Sequence, residues 1–125
     1  LLHLDGHVEN MRTDGERIYL ADFGLATSPR FELTAAEREF VRRNASHDAG
    51  YAAMRLVNWL VTDVCGVTAL ADRNAYVRRC AAGGIPDDVP ENVAAVLARH
   101  APAAAAVNDF YWQLFGGDLS AEFPG

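Results

Sequence analysis

Two polar segments flank a short β-hairpin signal within the first 24 residues, and this arrangement constrains the fold more than any other feature of the chain. Residues 3–10 read His-Leu-Asp-Gly-His-Val-Glu-Asn, and residues 22–24 read Asp-Phe-Gly. Between them lies Asp14-Gly15, a strong hairpin signal because Gly accepts the positive φ of a tight turn. A hairpin places its two ends side by side. We therefore expect Asn10 and Asp22 to lie at the same end of one ladder, where their oxygens can bind a hard cation.

The order of these residues resembles the catalytic loop and the metal-binding loop of the protein-kinase-like phosphotransferases. In that family a loop with His, Asp and Asn precedes a hairpin and a D-F-G motif, and here His3, Asp5 and Asn10 precede Asp22-Phe23-Gly24. The resemblance implies that Asp5 accepts the proton of the substrate hydroxyl and that Asn10 and Asp22 bind Mg²⁺. It also implies ATP as the phosphoryl donor, and it makes His3 a buried residue that supports the D-F-G turn.

His7 favours one branch of this family. Two residues after the catalytic Asp, Ser/Thr protein kinases usually have Lys, whereas the aminoglycoside-phosphotransferase-like small-molecule kinases usually have His, as this chain does. The resemblance makes His7 a candidate cofactor-binding residue that contacts a phosphate, and an ordinary structural His is the alternative. A zinc site built from His3, Asp5 and His7 is a further alternative. Three ligands within five residues, without a neighbouring Cys, fit such a site poorly.

The function that the resemblance implies is transfer of the ATP γ-phosphoryl group to a hydroxyl of a small molecule such as an aminoglycoside. No Ala-Pro-Glu motif follows the D-F-G, and the loop before Thr34 is too short for a large peptide-docking surface. The six-residue excess of acidic over basic side chains favours a cationic substrate. A Ser/Thr protein kinase is the enzymatic alternative, because those enzymes also display Asp-Phe-Gly-Leu-Ala. A pseudokinase-like interaction module is the non-enzymatic alternative.

Length and composition predict a single domain of 125 residues in the cytoplasm. Half of the residues are hydrophobic, which is sufficient for a core. The net charge of −6 argues against a nucleic-acid partner, whose phosphates require a basic surface. No apolar segment approaches the ~20 residues that cross a bilayer, so no membrane partner is expected. Cys65 and Cys80 lack a CxxC spacing, which predicts small buried thiols in a reducing compartment.

All eleven basic residues are Arg, and the absence of Lys bears on the expected mechanism. Kinases of this family hold the ATP phosphates with a Lys on an N-terminal strand, and a G-x-G-x-x-G loop is missing as well. We therefore expect a C-terminal lobe fragment that is inactive alone and whose partner is the N-terminal lobe of the same protein. Residues 1–26 would form the catalytic loop, hairpin and D-F-G, and residues 34–116 a helical subdomain.

Helix signals predominate after the D-F-G, so the predicted fold class is α+β, mostly α. The capping-box pattern that starts at Thr34 predicts a helix from Ala35 to Arg43. A second helix is expected to run to Val64 as a central buried element, because its apolar residues cover more than half of its circumference. At its start, Asp48 either braces the catalytic loop through hydrogen bonds or acts as a plain N-cap.

The remaining sequence predicts three further helices. One runs from Ala69 to Ala82 after Thr68, one begins at Pro90, and the last extends from Pro102 to about Phe115. The last helix ends in an aromatic cluster, residues 110–115. These aromatic side chains are expected to anchor the core, and a substrate cleft is the alternative.

Overall fold

The Asp14-Gly15 signal corresponds to an antiparallel hairpin in the computed structural model, which describes residues 1–125. β1 (Met11–Thr13) pairs with β2 (Ile18–Leu20). In the turn, Gly15 has a φ of +97°, and Asp14 Oδ1 accepts two backbone N–H groups at 3.0 and 2.9 Å. The side chain of Asp14 thus supplies the turn's hydrogen bonds and Gly15 its unusual backbone. The predicted hairpin is confirmed.

One of two compact units comprises residues 1–52 and 123–125 and contains this hairpin. It also contains α1 (Ala35–Arg43) and the first residues of α2 (His47–Trp59). α1 starts with the predicted capping box: Thr34 Oγ1 accepts from the Glu37 N–H, and the Glu37 carboxylate accepts from the Thr34 N–H. Both contacts satisfy N–H groups that the first turn of a helix cannot pair internally.

The other unit comprises residues 53–122 and is helical. After α2 the chain makes a π-helical turn (Leu60–Val64), followed by α3 (Leu70–Ala81) and α4 (Glu91–Phe115). α3 and α4 pack along each other. More than half of all residues are helical, so the predicted class, mostly α with one hairpin, is confirmed. The identity of the chain as a kinase-like lobe stays a prediction.

Apolar side chains and one polar pair form the interior of this helical unit. Its most buried apolar side chains are Val57, Val61, Val77, Cys80, Leu97, Ala101, Ala104 and Val107. Among them, the amide groups of Asn58 and Asn108 bond reciprocally, nitrogen to oxygen, at 2.9 and 3.0 Å. An unpaired buried amide costs roughly 1–3 kcal/mol, so the pair favours one register of α2 against α4.

The apolar face predicted for the second helix is wrong in most of its members: of Ala52, Leu56, Trp59, Leu60 and Val64, only Leu60 is buried. Leu56, Trp59 and Val64 are exposed, and the α-helix gives way to the π turn at Leu60 instead of continuing to Val64. The buried residues of this segment are Met54, Val57, Asn58, Leu60 and Val61. Apolar residues surround most of the helix, so periodicity alone did not single out a face. The face that is buried in the structure contains Asn58, whose pairing with Asn108 a hydrophobic pattern does not register.

A single helix replaces the two that were predicted on either side of Pro102. Pro102 lies inside the 25-residue α4, where it removes one N–H donor and its ring crowds the carbonyl of Ala98. Alanine has the highest helix propensity of all residues, and several alanines surround Pro102. Two of them, Ala101 and Ala104, are fully buried. Packing on both sides of the proline keeps the helix continuous. α3 lies within one residue of its predicted bounds, although Thr68 does not cap it.

The aromatic residues at the end of α4 do not anchor the core, contrary to the prediction. Trp112 is exposed and Phe115 is 82% exposed, whereas Phe110 and Tyr111 are partly buried. The last buried residue of α4 is Asn108, so the aromatic segment follows the buried stripe of the helix. None of the helices has both the length and the apolar character required to cross a membrane.

Candidate active site

Asn10 and Asp22 lie at the same end of the hairpin. The strand register pairs Met11 with Leu20, and one step further the Ala21 N–H donates to the carbonyl of Asn10 at 2.8 Å. Asp22 follows Ala21 directly in the chain. The hairpin therefore brings together two polar side chains that are separated by eleven residues of sequence. Their ability to bind a metal ion stays a prediction.

Two residues other than glycine have a left-handed backbone, and both belong to the sequence motif. Leu4, with a φ of 64°, immediately precedes Asp5, and the other is Asp22 itself, with a φ of 56°. This conformation is unfavourable for L-residues by roughly 1–2 kcal/mol, less for Asp. Strained backbone persists only where the surroundings hold it, and it is concentrated at functional sites. The motif thus contains the chain's clearest backbone strain.

His3 connects the two polar segments. Its side chain is 1% exposed, its Nε2 lies 2.8 Å from the Ala21 carbonyl, and its Nδ1 accepts the Asp5 N–H at 3.3 Å. A ring that accepts at Nδ1 must carry its proton on Nε2, which then donates to Ala21. The ring also contacts Phe23 edge-on, with centroids 4.9 Å apart. His3 therefore supports the D-F-G segment, as the resemblance implied.

Asp48, in the first turn of α2, holds the segment that leads to Asp5. Its carboxylate accepts the backbone N–H groups of His3 and Leu4, the latter at 2.9 Å. Burial raises the pKa of Asp48, but these two N–H groups and the neighbouring His47 ring lower it by more, so the net pKa is below the usual value. Of the two interpretations of Asp48, the loop brace is confirmed.

The orientation of the Asn10 carboxamide follows from its neighbours. Its Nδ2 lies 2.9 Å from the Asp5 carbonyl oxygen and 3.1 Å from Asp5 Oδ2. A backbone carbonyl oxygen and a carboxylate oxygen both accept hydrogen bonds and do not donate them. The amide nitrogen of Asn10, which donates, must therefore face Asp5. Asn10 Oδ1 then points away and makes no hydrogen bond within the chain. This oxygen is available as a ligand.

His7 lies beside Asp5 and Asn10. Its Nε2 is 3.2 Å from Asn10 Nδ2 and 3.5 Å from Asp5 Oδ1, and its Nδ1 is 4.0 Å from the Glu9 carboxylate. If Nε2 accepts from Asn10, the proton of the neutral ring lies on Nδ1. His7 thus belongs to the hydrogen-bonding group around the predicted base. Its contact with a phosphate stays a prediction.

The oxygen atoms at the hairpin end fit Mg²⁺ better than zinc. Asp22 uses one oxygen to accept the Gly24 N–H at 3.3 Å, and its other oxygen has no hydrogen-bond partner in the chain. Mg²⁺ commonly binds one or two side-chain oxygens and completes its shell with water and phosphate. No group of three or more His, Cys, Asp or Glu side chains is arranged to hold a metal ion. His3 is not free to join a zinc site, because both of its ring nitrogens are engaged in other hydrogen bonds.

In comparisons with known proteins, no family model, no curated protein and no solved structure matches the chain. The functional interpretation consequently depends on the geometry of the residues themselves.

His47, which contacts Asp48, is a further residue of this region that no motif in the sequence indicates. Its Nδ1 lies 3.2 Å from Asp48 Oδ1, and its ring lies between two aromatic rings, those of Tyr51 and Phe123, at centroid distances of 5.6 and 4.8 Å. The His–Tyr spacing of four residues on one helix is a signal that could have found the first contact. Phe123 is distant in sequence, and no local pattern indicates it.

Proposed function

We propose that this chain supplies the catalytic loop and the metal-binding loop of an ATP-dependent phosphotransferase that acts on a hydroxyl of a small molecule. One observation carries the proposal. Asp5, Asn10 and Asp22 come from two separate segments, and their backbone converges at one end of a hairpin where the chain is held in a left-handed conformation. Structural stability alone does not require two carboxylates and an amide at such a place.

In this proposal Asp5 acts on the acceptor hydroxyl. Its side chain is 34% exposed, so a substrate can reach it, and Asn10 holds one of its oxygens. The carboxylate orients the hydroxyl and accepts its proton while the hydroxyl oxygen bonds to the γ-phosphorus and ADP leaves. Asn10 Oδ1 and the Asp22 carboxylate would hold Mg²⁺, which when bound neutralises charge on the phosphates. His7 lies close enough to this group to contact a phosphate.

A second lobe is part of the proposal because the chain has no Lys to anchor the ATP phosphates. The hairpin and the D-F-G segment expose large apolar side chains, which include Ile18, Tyr19, Leu20, Phe23 and Leu25. Exposed apolar groups of this kind mark interaction surfaces. We propose that an N-terminal lobe carrying the phosphate anchor packs against them.

The proposed acceptor is a cationic hydroxylated compound such as an aminoglycoside. The net charge of −6 favours a cation, and exposed Glu9 and Asp22 place acidic groups beside the loop. The test is a labelled-ATP assay of a protein that contains these residues together with the proposed lobe. Label should appear on small amino alcohols or aminoglycosides. Label on protein acceptors or on the enzyme's own Ser and Thr, with none on small molecules, would instead favour the Ser/Thr protein kinase alternative.

Metal binding can be tested on the 125-residue chain itself. Mn²⁺, which accepts the same oxygen ligands as Mg²⁺, should broaden the NMR signals of Asn10 and Asp22 first. Asp22→Asn should weaken this binding by roughly tenfold or more, in the range seen when a group that supports a metal is removed. Asp14→Asn is the matched control, since Asp14 lies at the opposite end of the hairpin. Broadening centred on Asp14 in the wild-type chain would contradict the metal assignment.

A further inference from the structure

The C-terminal segment returns to the unit that contains the candidate active site. Phe123 is partly buried, and its ring lies 4.8 Å from that of His47 at an interplanar angle of 44°. On the same helix, Tyr51 stacks on His47 with an angle of 12°. Aromatic pairs of this geometry are attractive beyond the area that they bury. The His47 ring is therefore held between two aromatic side chains.

The orientation of this ring matters because of Asp48. His47 Nδ1 is 3.2 Å from Asp48 Oδ1, the same oxygen that accepts the Leu4 N–H at 2.9 Å. Since a carboxylate only accepts, Nδ1 must donate. A His47 ring that is free to rotate would lose this hydrogen bond, and the carboxylate would lose a restraint on its own position.

The backbone that Asp48 holds needs such restraint. Leu4 is in the left-handed conformation, which persists only where surrounding contacts enforce it. Leu4 directly precedes Asp5, and the Asp5 N–H in turn bonds to His3. A continuous set of contacts thus runs from the C-terminal segment to the predicted catalytic base.

We propose that Phe123 is a positioning residue for the candidate catalytic loop and that it acts through His47 and Asp48. This inference deepens the proposed phosphotransferase function, and its catalytic meaning rests on that function. The contact itself is a property of the folded chain and can be measured without any assay of activity.

The experiment is hydrogen exchange, followed by NMR, on the 125-residue chain. Phe123→Ala should accelerate exchange of the His3 and Leu4 amides by about tenfold, which corresponds to ~1.4 kcal/mol and to the upper range for an aromatic pair. Buried amides of α4, such as that of Leu97, should be unchanged. Phe123→Tyr keeps the aromatic ring, so the His3 and Leu4 amides should exchange as slowly as in the wild type. Phe115→Ala removes an exposed phenylalanine from the other unit and serves as the matched control.

A second variant separates the hydrogen bond from the stacking. His47→Phe keeps a ring between Tyr51 and Phe123 but has no donor for Asp48, and it should accelerate exchange at the same two amides. If Phe123→Ala leaves His3 and Leu4 exchange unchanged, the proposal is wrong. Equal acceleration at Leu97 would also overturn it, because Phe123 would then contribute only general stability. Should Phe123→Ala fail to fold, Phe123→Leu retains apolar bulk and permits the same comparison.

Failure of the proposed function gives a different result. If the exchange pattern follows the expectation but no phosphoryl transfer occurs in the labelled-ATP assay, the positioning contact stands and the phosphotransferase proposal falls. If transfer occurs in the wild-type protein and Phe123→Ala changes neither exchange nor kcat, the phosphotransferase proposal stands and the positioning role of Phe123 is wrong.

Discussion

Asp5→Asn should lower the kcat of phosphoryl transfer by about a thousandfold and leave the KM for ATP nearly unchanged. General-base catalysis typically contributes roughly 10²–10⁴-fold, and Asn cannot accept a proton. The replacement preserves the shape of the side chain and an oxygen for the bond from Asn10 Nδ2. The loss should therefore be confined to the chemical step. Steady-state kinetics of the protein that carries both proposed lobes provide the measurement.

Asp14→Asn is the control for this experiment, because it makes the same chemical change in the turn of the hairpin, far from the polar end. It should retain kcat, since Asn keeps the Oδ1 acceptor that Asp14 uses for two backbone N–H groups. A kcat for Asp5→Asn within a few-fold of the wild-type value would remove Asp5 from the role of base.

Asp48→Ala should reduce the free energy of unfolding by about 3 kcal/mol, because two hydrogen bonds to a charged acceptor are lost and their N–H donors remain. One of these donors belongs to His3, whose side chain is almost fully buried. Denaturant titration at neutral pH measures the loss. Asp63→Ala is the control, since the side chain of Asp63 is exposed and forms no hydrogen bond or ion pair, and it should change stability little.

The difference between wild type and Asp48→Ala should shrink in acid. The folded-state pKa of Asp48 lies below its ordinary value of 3.8, the net result of burial, which raises it, and of stronger hydrogen bonds, which lower it. A carboxyl with a depressed folded pKa contributes its full stability above its unfolded pKa. It loses that contribution as the pH falls through the folded pKa. The two proteins should therefore differ in stability at neutral pH, and the difference should shrink as the pH is lowered from 3.8 through the folded-state pKa of Asp48. A constant difference would show that the charge of Asp48 is irrelevant.

Local chemistry explains why part of this structure could be predicted from the sequence. The Asp14-Gly15 turn and the Thr34–Glu37 capping box are formed by neighbouring residues, and both were predicted correctly. The approach of Asn10 to Asp22 followed from the hairpin alone. For Asp48, the sequence left two interpretations open, because its partners lie far away in the chain and only the tertiary structure decides between them.

The errors arise where packing overrides local signals. Pro102 is a helix breaker by propensity, but buried alanines on both sides keep α4 continuous. The asparagine pair of α2 and α4 selects a helix face that hydrophobic periodicity does not reveal. The aromatic end of α4 looks like core by composition, but Trp112 and Phe115 there are exposed. Phe123 had no signal, since its contact with His47 joins the end of the chain to its middle.

The long sequence separation between Asp48 and its partners also determines when the loop can become ordered during folding. His3 and Leu4 precede Asp48 by 45 and 44 residues, whereas the hairpin and the helices close through short loops. Contacts across long loops cost more chain entropy and form later than local ones. The hairpin can therefore exist before the loop beside it has acquired its left-handed backbone. Under gentle heating the order should reverse: the segment around Asp5 opens while the helices persist, which hydrogen exchange at increasing temperature would show.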